Sequence, residues 1–108
     1  MTGRRQDLPQ RLAFAAIASA AAGHAETIVK RWLPDGRRVG AEWVARNPKR
    51  ADKHLGSFKV NLTTGRWGDF ATRNGGGDLI SLAAFLHDLD QAEAARRVAE
   101  MVGVSAYE

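Results

Sequence analysis

Apolar and polar positions recur along this chain in different rhythms, and each rhythm marks a different element. Leu12, Ala16 and Ala20 follow helical spacing, and Phe14 and Ile17 widen the stripe. Pro9 suits the first turn of such a helix, where its missing amide donor costs nothing. Gly23 interrupts the run, and Ile28, Val29, Trp32 and Leu33 form a second stripe that ends before Pro34. Residues 9–33 therefore read as one long helix or two short ones.

The rhythm then shortens. Asp35-Gly36 signals a turn, on the expectation that glycine supplies a positive φ there, and Val39 to Ala45 reads as a strand. Residues 47–55 (NPKRADKHL) are polar, basic and broken by Pro48, so they predict a loop. Phe58, Val60 and Leu62 alternate with Lys59 and Asn61, the pattern of a half-buried strand with its apolar side on the core. Thr63-Thr64-Gly65 turns the chain, and Arg66 to Phe70 returns.

Asn74-Gly75-Gly76-Gly77 predicts a flexible loop, with Asp78 as N-cap of an apolar helix through Leu79, Ile80, Leu82, Ala83, Phe85 and Leu86. Asp90 with Glu93 suggests a capping box for a last helix, and Gly103 a stop. The fold class expected is α+β: a small antiparallel sheet packed with N-terminal and C-terminal helices. A flexible terminus over 1–8 precedes a single domain over 9–108, with helices at 9–33, a sheet at 37–72 and two helices at 78–103.

Composition narrows this picture. At 108 residues one modest core is expected, with little room for a deep catalytic cleft. The absence of cysteine removes disulfides and thiolate metal sites and fits a reducing cytoplasm. The alanine-rich run Leu12 to Ala25 is too short and weakly apolar for a membrane span. The formal charge of +4 is unevenly spread. Lys30 to Arg73 holds eleven Lys/Arg against four acids, while Gly75 to Glu108 holds two against six. A basic middle attracts polyanions with salt-dependent affinity.

Candidate chemistry is sparse. His24, His54 and His87 share no metal-ligand spacing. No nucleophile elbow surrounds Ser57 or Ser81, and too few carboxylates lie in the basic segment for a two-metal site. The expectation is a non-enzyme without metal or cofactor. Amides at the start of the helix after Gly75-Gly76-Gly77 suit a phosphate, but the loop lacks the Lys-Ser/Thr of a P-loop, and Asp78 repels anions. A tight sheet-to-helix connection is the alternative reading.

The hairpin offers more. Lys59, Asn61 and Arg66 share its solvent face, and the loop contributes Arg46, Asn47, Lys49, Arg50 and Lys53. Trp67 has two readings, as a platform for an unpaired base or as a core residue capping the sheet. Trp43 and Trp32 read as core. The candidate nucleic-acid-binding set is Arg46, Lys49, Arg50, Lys53, Lys59, Arg66, Trp67 and Arg73.

The order Glu42-Trp43-Val44, a polar loop, Ser57-Phe58-Lys59-Val60, Trp67-Gly68-Asp69-Phe70, Gly76-Gly77-Asp78 and Leu79-Ile80-Ser81-Leu82 resembles the N-terminal zinc-ribbon domain of DnaG-type primases. It is more similar to a cysteine-free variant in primase-helicase proteins of phages, plasmids and integrated elements. The helix Gln91 to Arg97 also resembles that family. Zinc-bearing members carry Cys-x-x-His before the hairpin and Cys-x-x-Cys after it. Here those places hold Arg46-Asn47-Pro48-Lys49 and, approximately, Asp69-Phe70-Ala71-Thr72, so zinc does not carry over. The resemblance implies a zinc-ribbon-like fold held by apolar packing and local hydrogen bonds, including those of Asn47 and Asp69. It also implies binding of single-stranded DNA during replication of a mobile element. The other function class expected is a protein-interaction module, docking on a replication protein or inhibiting a host nucleic-acid-binding complex as anti-CRISPR proteins do.

Overall fold

The computed structural model describes residues 11–49 and 57–108. The proposed helix start at Pro9 and the candidate contacts Arg50 and Lys53 lie outside the described residues.

Two short helices, not one long one, open the described chain: α1 (Phe14–Ala22) and α2 (Ala25–Trp32). The break falls at Gly23–His24, where His24 leaves helical geometry at φ −123 and its N–H bonds the Ala21 carbonyl at 2.9 Å. The buried stripe of α1 is Ala13, Ile17 and Ala21, one position on from the predicted Leu12, Ala16 and Ala20. Phe14 is exposed. In α2, Glu26 in the first turn and Lys30 and Arg31 in the last complement the helix dipole. Glu26 also bonds the Arg38 guanidinium at 2.7 Å, tying α2 to the sheet.

The sheet is a five-stranded antiparallel meander: β1 (Arg37–Val39), β2 (Glu42–Ala45), β3 (Phe58–Asn61), β4 (Trp67–Asp69) and β5 (Gly75–Gly76), in that spatial order. The stretch expected as one strand from Val39 to Ala45 is thus split between two. Its hairpin turn is Gly40–Ala41, with Gly40 at φ 62, a conformation glycine adopts without a Cβ penalty. Asp35–Gly36 turns between α2 and β1 instead, and Gly36 has no positive φ. The glycines expected as a flexible loop also differ, since Gly75 and Gly76 pair with Gly68 and Trp67.

Register assigns the two faces. Trp43 sits opposite Val60, and Val60 opposite Trp67; Ala45 sits opposite Phe58, and Phe58 opposite Asp69. Those residues face inward, where the helices pack, because side chains alternate along a strand. Phe58 stacks on Trp67 at 5.7 Å between ring centroids, and on Phe85 of α3 (Leu79–His87) at 6.2 Å. Leu79, Ile80 and Leu82 join the same core with Ala94, Ala95 and Val98 of α4 (Gln91–Val102). The fold is α+β.

The helix ends follow their sequence signals with one difference. Asp78 Oδ1 accepts the Ser81 N–H at 2.8 Å, and Asp90 Oδ1 accepts the Glu93 N–H at 2.7 Å. The Glu93 carboxylate, expected to complete a capping box, instead accepts from Arg97 at 3.0 Å and Arg96 at 3.1 Å. The Arg97 bond, followed by Arg96, holds the Glu93 carboxyl below its ordinary range. The Tyr107 hydroxyl, accepting from Arg96 Nε at 3.0 Å, is the main cause of that guanidinium's raised pKa. Gly103 stops α4 at φ 74. Finally, Ala13 N–H bonds Ala106 O and Glu108 N–H bonds Arg11 O, each at 2.9 Å, clasping residues 11–13 to 106–108.

Candidate nucleic-acid interface

The outward face of the sheet is built by the positions between the buried ones. One row across it runs Arg37, Val44, Lys59, Gly68 and Gly75. Val44 in that row is buried, and Arg37 is exposed. A second row runs Val39, Glu42 and Asn61, extended by Arg66, whose carbonyl accepts the Asn61 N–H at 2.7 Å. A third holds Ser57 and Phe70, joined by a 3.0 Å bond from Phe70 N–H to Ser57 O. Arg46 follows β2 onto the same side, since its neighbours Ala45 and Asn47 are turned inward and buried. Among the described residues, Arg37, Arg46, Lys59 and Arg66 therefore share a face with one carboxylate, that of Glu42. Cations gathered on one face attract a polyanion and position it through its phosphates.

Among the described residues Phe70 is the aromatic of this face, 75 % exposed. Asp69 fixes the turn that carries it. Its amide donates to Asn74 O at 2.8 Å, its carbonyl accepts from Arg73 N–H at 2.7 Å, and its Oδ1 accepts from Ala71 N–H at 2.9 Å. Asp69 Oδ2 accepts from Asn47 Nδ2 at 2.8 Å. Both side chains of that pair are buried, so their bond links the end of β2 to the β4–β5 turn through the interior. Lys59 Nζ lies 5.4 Å from the centroid of the Phe70 ring.

The predicted contacts divide accordingly. Arg46, Lys59 and Arg66 come together on the outer face, and Arg73 is exposed on the Phe70 turn at φ 63. Lys49 does not join them: its ammonium pairs with Asp88 at the end of α3 and lies 5.5 Å from the Phe85 ring centroid. Trp67 is not a stacking platform. It is 8 % exposed, its ring lies 4.9 Å from that of Phe85, and its Nε1 donates to Ser81 Oγ at 2.9 Å. Position along β4 decides this, because Trp67 falls on the inward phase and Arg66 and Gly68 on the outward one. Arg37 and Phe70 were absent from the predicted set. Counting strand phase outward from the buried Trp67 finds Phe70; Arg37 stands on β1, opposite Val44, and needs the Gly40 hairpin to be placed.

At the helix start after the glycines, Asp78 Oδ1 takes the Ser81 amide, Ser81 Oγ donates to Asp78 O at 2.8 Å, and Gly65 packs against the first turn; a Cβ there would stand 3.2 Å from Leu79 Cγ and 3.3 Å from Leu79 N. Gly76 is confined more tightly, since a Cβ would lie 2.2 Å from Ser81 Oγ and 2.6 Å from Trp67 Nε1. Gly65 and Gly76 therefore serve packing, as a tight sheet-to-helix connection requires. On the helical side a groove of about 990 Å³ is lined by Arg31, Trp32, His87, Arg97 and Met101 among others. Trp32, expected in the core, is half-buried there, edge-on to His87 at 5.5 Å.

Among the described residues no three or more His, Asp or Glu side chains gather as a metal site would require. No helix among them is long and apolar enough to cross a membrane. No protein-family model matches the chain, and no curated protein matches it in sequence.

Proposed function

We propose that this protein is a non-enzymatic, zinc-free domain of primase type that engages single-stranded DNA through the outer face of its sheet, serving replication of a mobile element in the cytoplasm. The observation that carries the reading is the one-sided placement of Arg37, Arg46, Lys59 and Arg66 on the face that also carries an exposed Phe70. Cations supply affinity to any polyanion, and an exposed ring adds affinity only where a base is free to meet it. The resemblance to primase zinc ribbons supports the same reading. The buried Asn47–Asp69 bond joins the two turns where zinc-bearing members carry their ligand pairs.

Fluorescence anisotropy with labelled oligonucleotides at several salt concentrations tests it. Binding is expected at low salt, with a log–log slope of about −0.7 per phosphate contact. Lys59→Ala combined with Arg66→Ala is expected to weaken binding about tenfold and flatten that slope, with the fold intact. Absence of binding at low salt, or binding insensitive to salt, would sink the proposal.

A second reading, a protein-interaction module, is favoured by the groove between α2, α3 and α4 with Trp32 and Met101 in its walls. Purification from the native host that recovers DNA without a stable protein partner counts against it.

A further inference from the structure

The Lys59 ammonium rests near the face of the Phe70 ring, the one ring among the described residues that the outer surface offers to a base. Both groups are held by rigid parts. Lys59 belongs to β3, paired on both sides, and the Phe70 backbone is bonded to Ser57 at 3.0 Å and follows the anchored Asp69. Beside the ring the sheet shows only glycine: Gly68 lies opposite Lys59, and Gly75 lies opposite Gly68. No side chain on β4 or β5 competes for that space. A planar group can enter it, provided the ammonium gives way.

We infer that Lys59 and Phe70 act as one exchange clamp for an unpaired nucleotide: the base takes the ring face, and the displaced ammonium takes the flanking phosphate. This deepens the nucleic-acid reading and rests on it. An ammonium over an exposed ring is weakly held. Base stacking on an aromatic is stronger, and an ammonium–phosphate contact adds to it, so the exchange runs toward the bound state. The lysine's flexible stem lets one residue serve both positions. A continuous duplex keeps its base faces stacked and cannot drive the exchange. The ligand class is therefore a single strand, or a strand with an unstacked base.

The test compares labelled oligothymidylate with an abasic strand of equal length and with a duplex, using wild type, Phe70→Ala and Lys59→Ala. Wild type should bind oligothymidylate about tenfold more tightly than the abasic strand. Phe70→Ala should bind the two equally, with its salt dependence unchanged. Lys59→Ala should weaken oligothymidylate binding about threefold more than abasic-strand binding and so narrow their ratio, because the ammonium leaves the ring for the phosphate only where a base displaces it. A structural lysine would instead lower both affinities by the same factor. Duplex affinity should be indifferent to Phe70→Ala. The clamp is overturned if the base preference survives Phe70→Ala, or if Lys59→Ala leaves the ratio unchanged or widens it. Salt-dependent binding with no base preference in wild type removes the clamp and leaves the nucleic-acid reading standing. Failure of every strand to bind at low salt removes both. Circular dichroism and thermal melts confirm that each variant is folded.

Discussion

On the inner face of the sheet Trp43, Phe58, Val60 and Trp67 are each 8 % exposed or less, whereas the outer face presents Arg37, Arg46, Lys59, Arg66 and Phe70. The two sets interleave along the same strands. Arg66 and Trp67 are adjacent in the chain yet stand on opposite sides, as are Asp69 and Phe70. One side is fixed by ring stacking and a buried hydrogen bond, and the other is free to meet a ligand. Hence residue type alone does not separate them: the tryptophan of β4 is structural, while the phenylalanine three residues later is presented.

Substitutions that strike one face and spare the other test this contrast. The largest effect should come from Phe58→Ala, which empties the centre of the inner face. A loss of about 3–5 kcal/mol of stability is expected, read from chemical denaturation. A midpoint close to wild type would mean that the inner face is not the main source of stability. Gly76→Ala should cost about 1–3 kcal/mol, because its methyl must displace Ser81 Oγ or the Trp67 indole. A thermal melt reads this, and an unchanged melting temperature would show that β5 and α3 part easily. Arg37→Ala is the mildest change. Stability should stay within about 0.5 kcal/mol of wild type, while the salt slope of single-strand binding falls by about 0.7. A slope that does not move would take β1 out of the interface.

Much of the architecture was legible because its signals are local. Asp78 and Asp90 cap helices where a short polar side chain precedes an apolar run, and the 58–62 alternation lies in β3. What misled was ambiguity of phase. In α1 alanine occupies Ala13, Ala15, Ala16, Ala18 and Ala20–Ala22, so several faces are nearly equivalent. Tertiary packing chose Ala13, Ile17 and Ala21. The glycine run carries no side chains to reveal strand periodicity, so β5 was invisible. Lys49 reads as mobile charge until the end of α3 is known to stand beside it. Asn47 and Asp69 are 22 residues apart, and only their place beside the resembled ligand pairs marked them.

The meander has a kinetic consequence. Every strand pairs with its neighbour in sequence, so the sheet assembles by extending hairpins without first bringing distant segments together. The bridge between Leu12 and Tyr107 closes a far longer loop than any hairpin of the sheet, so its search is slower than theirs. Sheet formation can thus run ahead of terminal closure. A chain still emerging from the ribosome holds all five strands before Tyr107 is made.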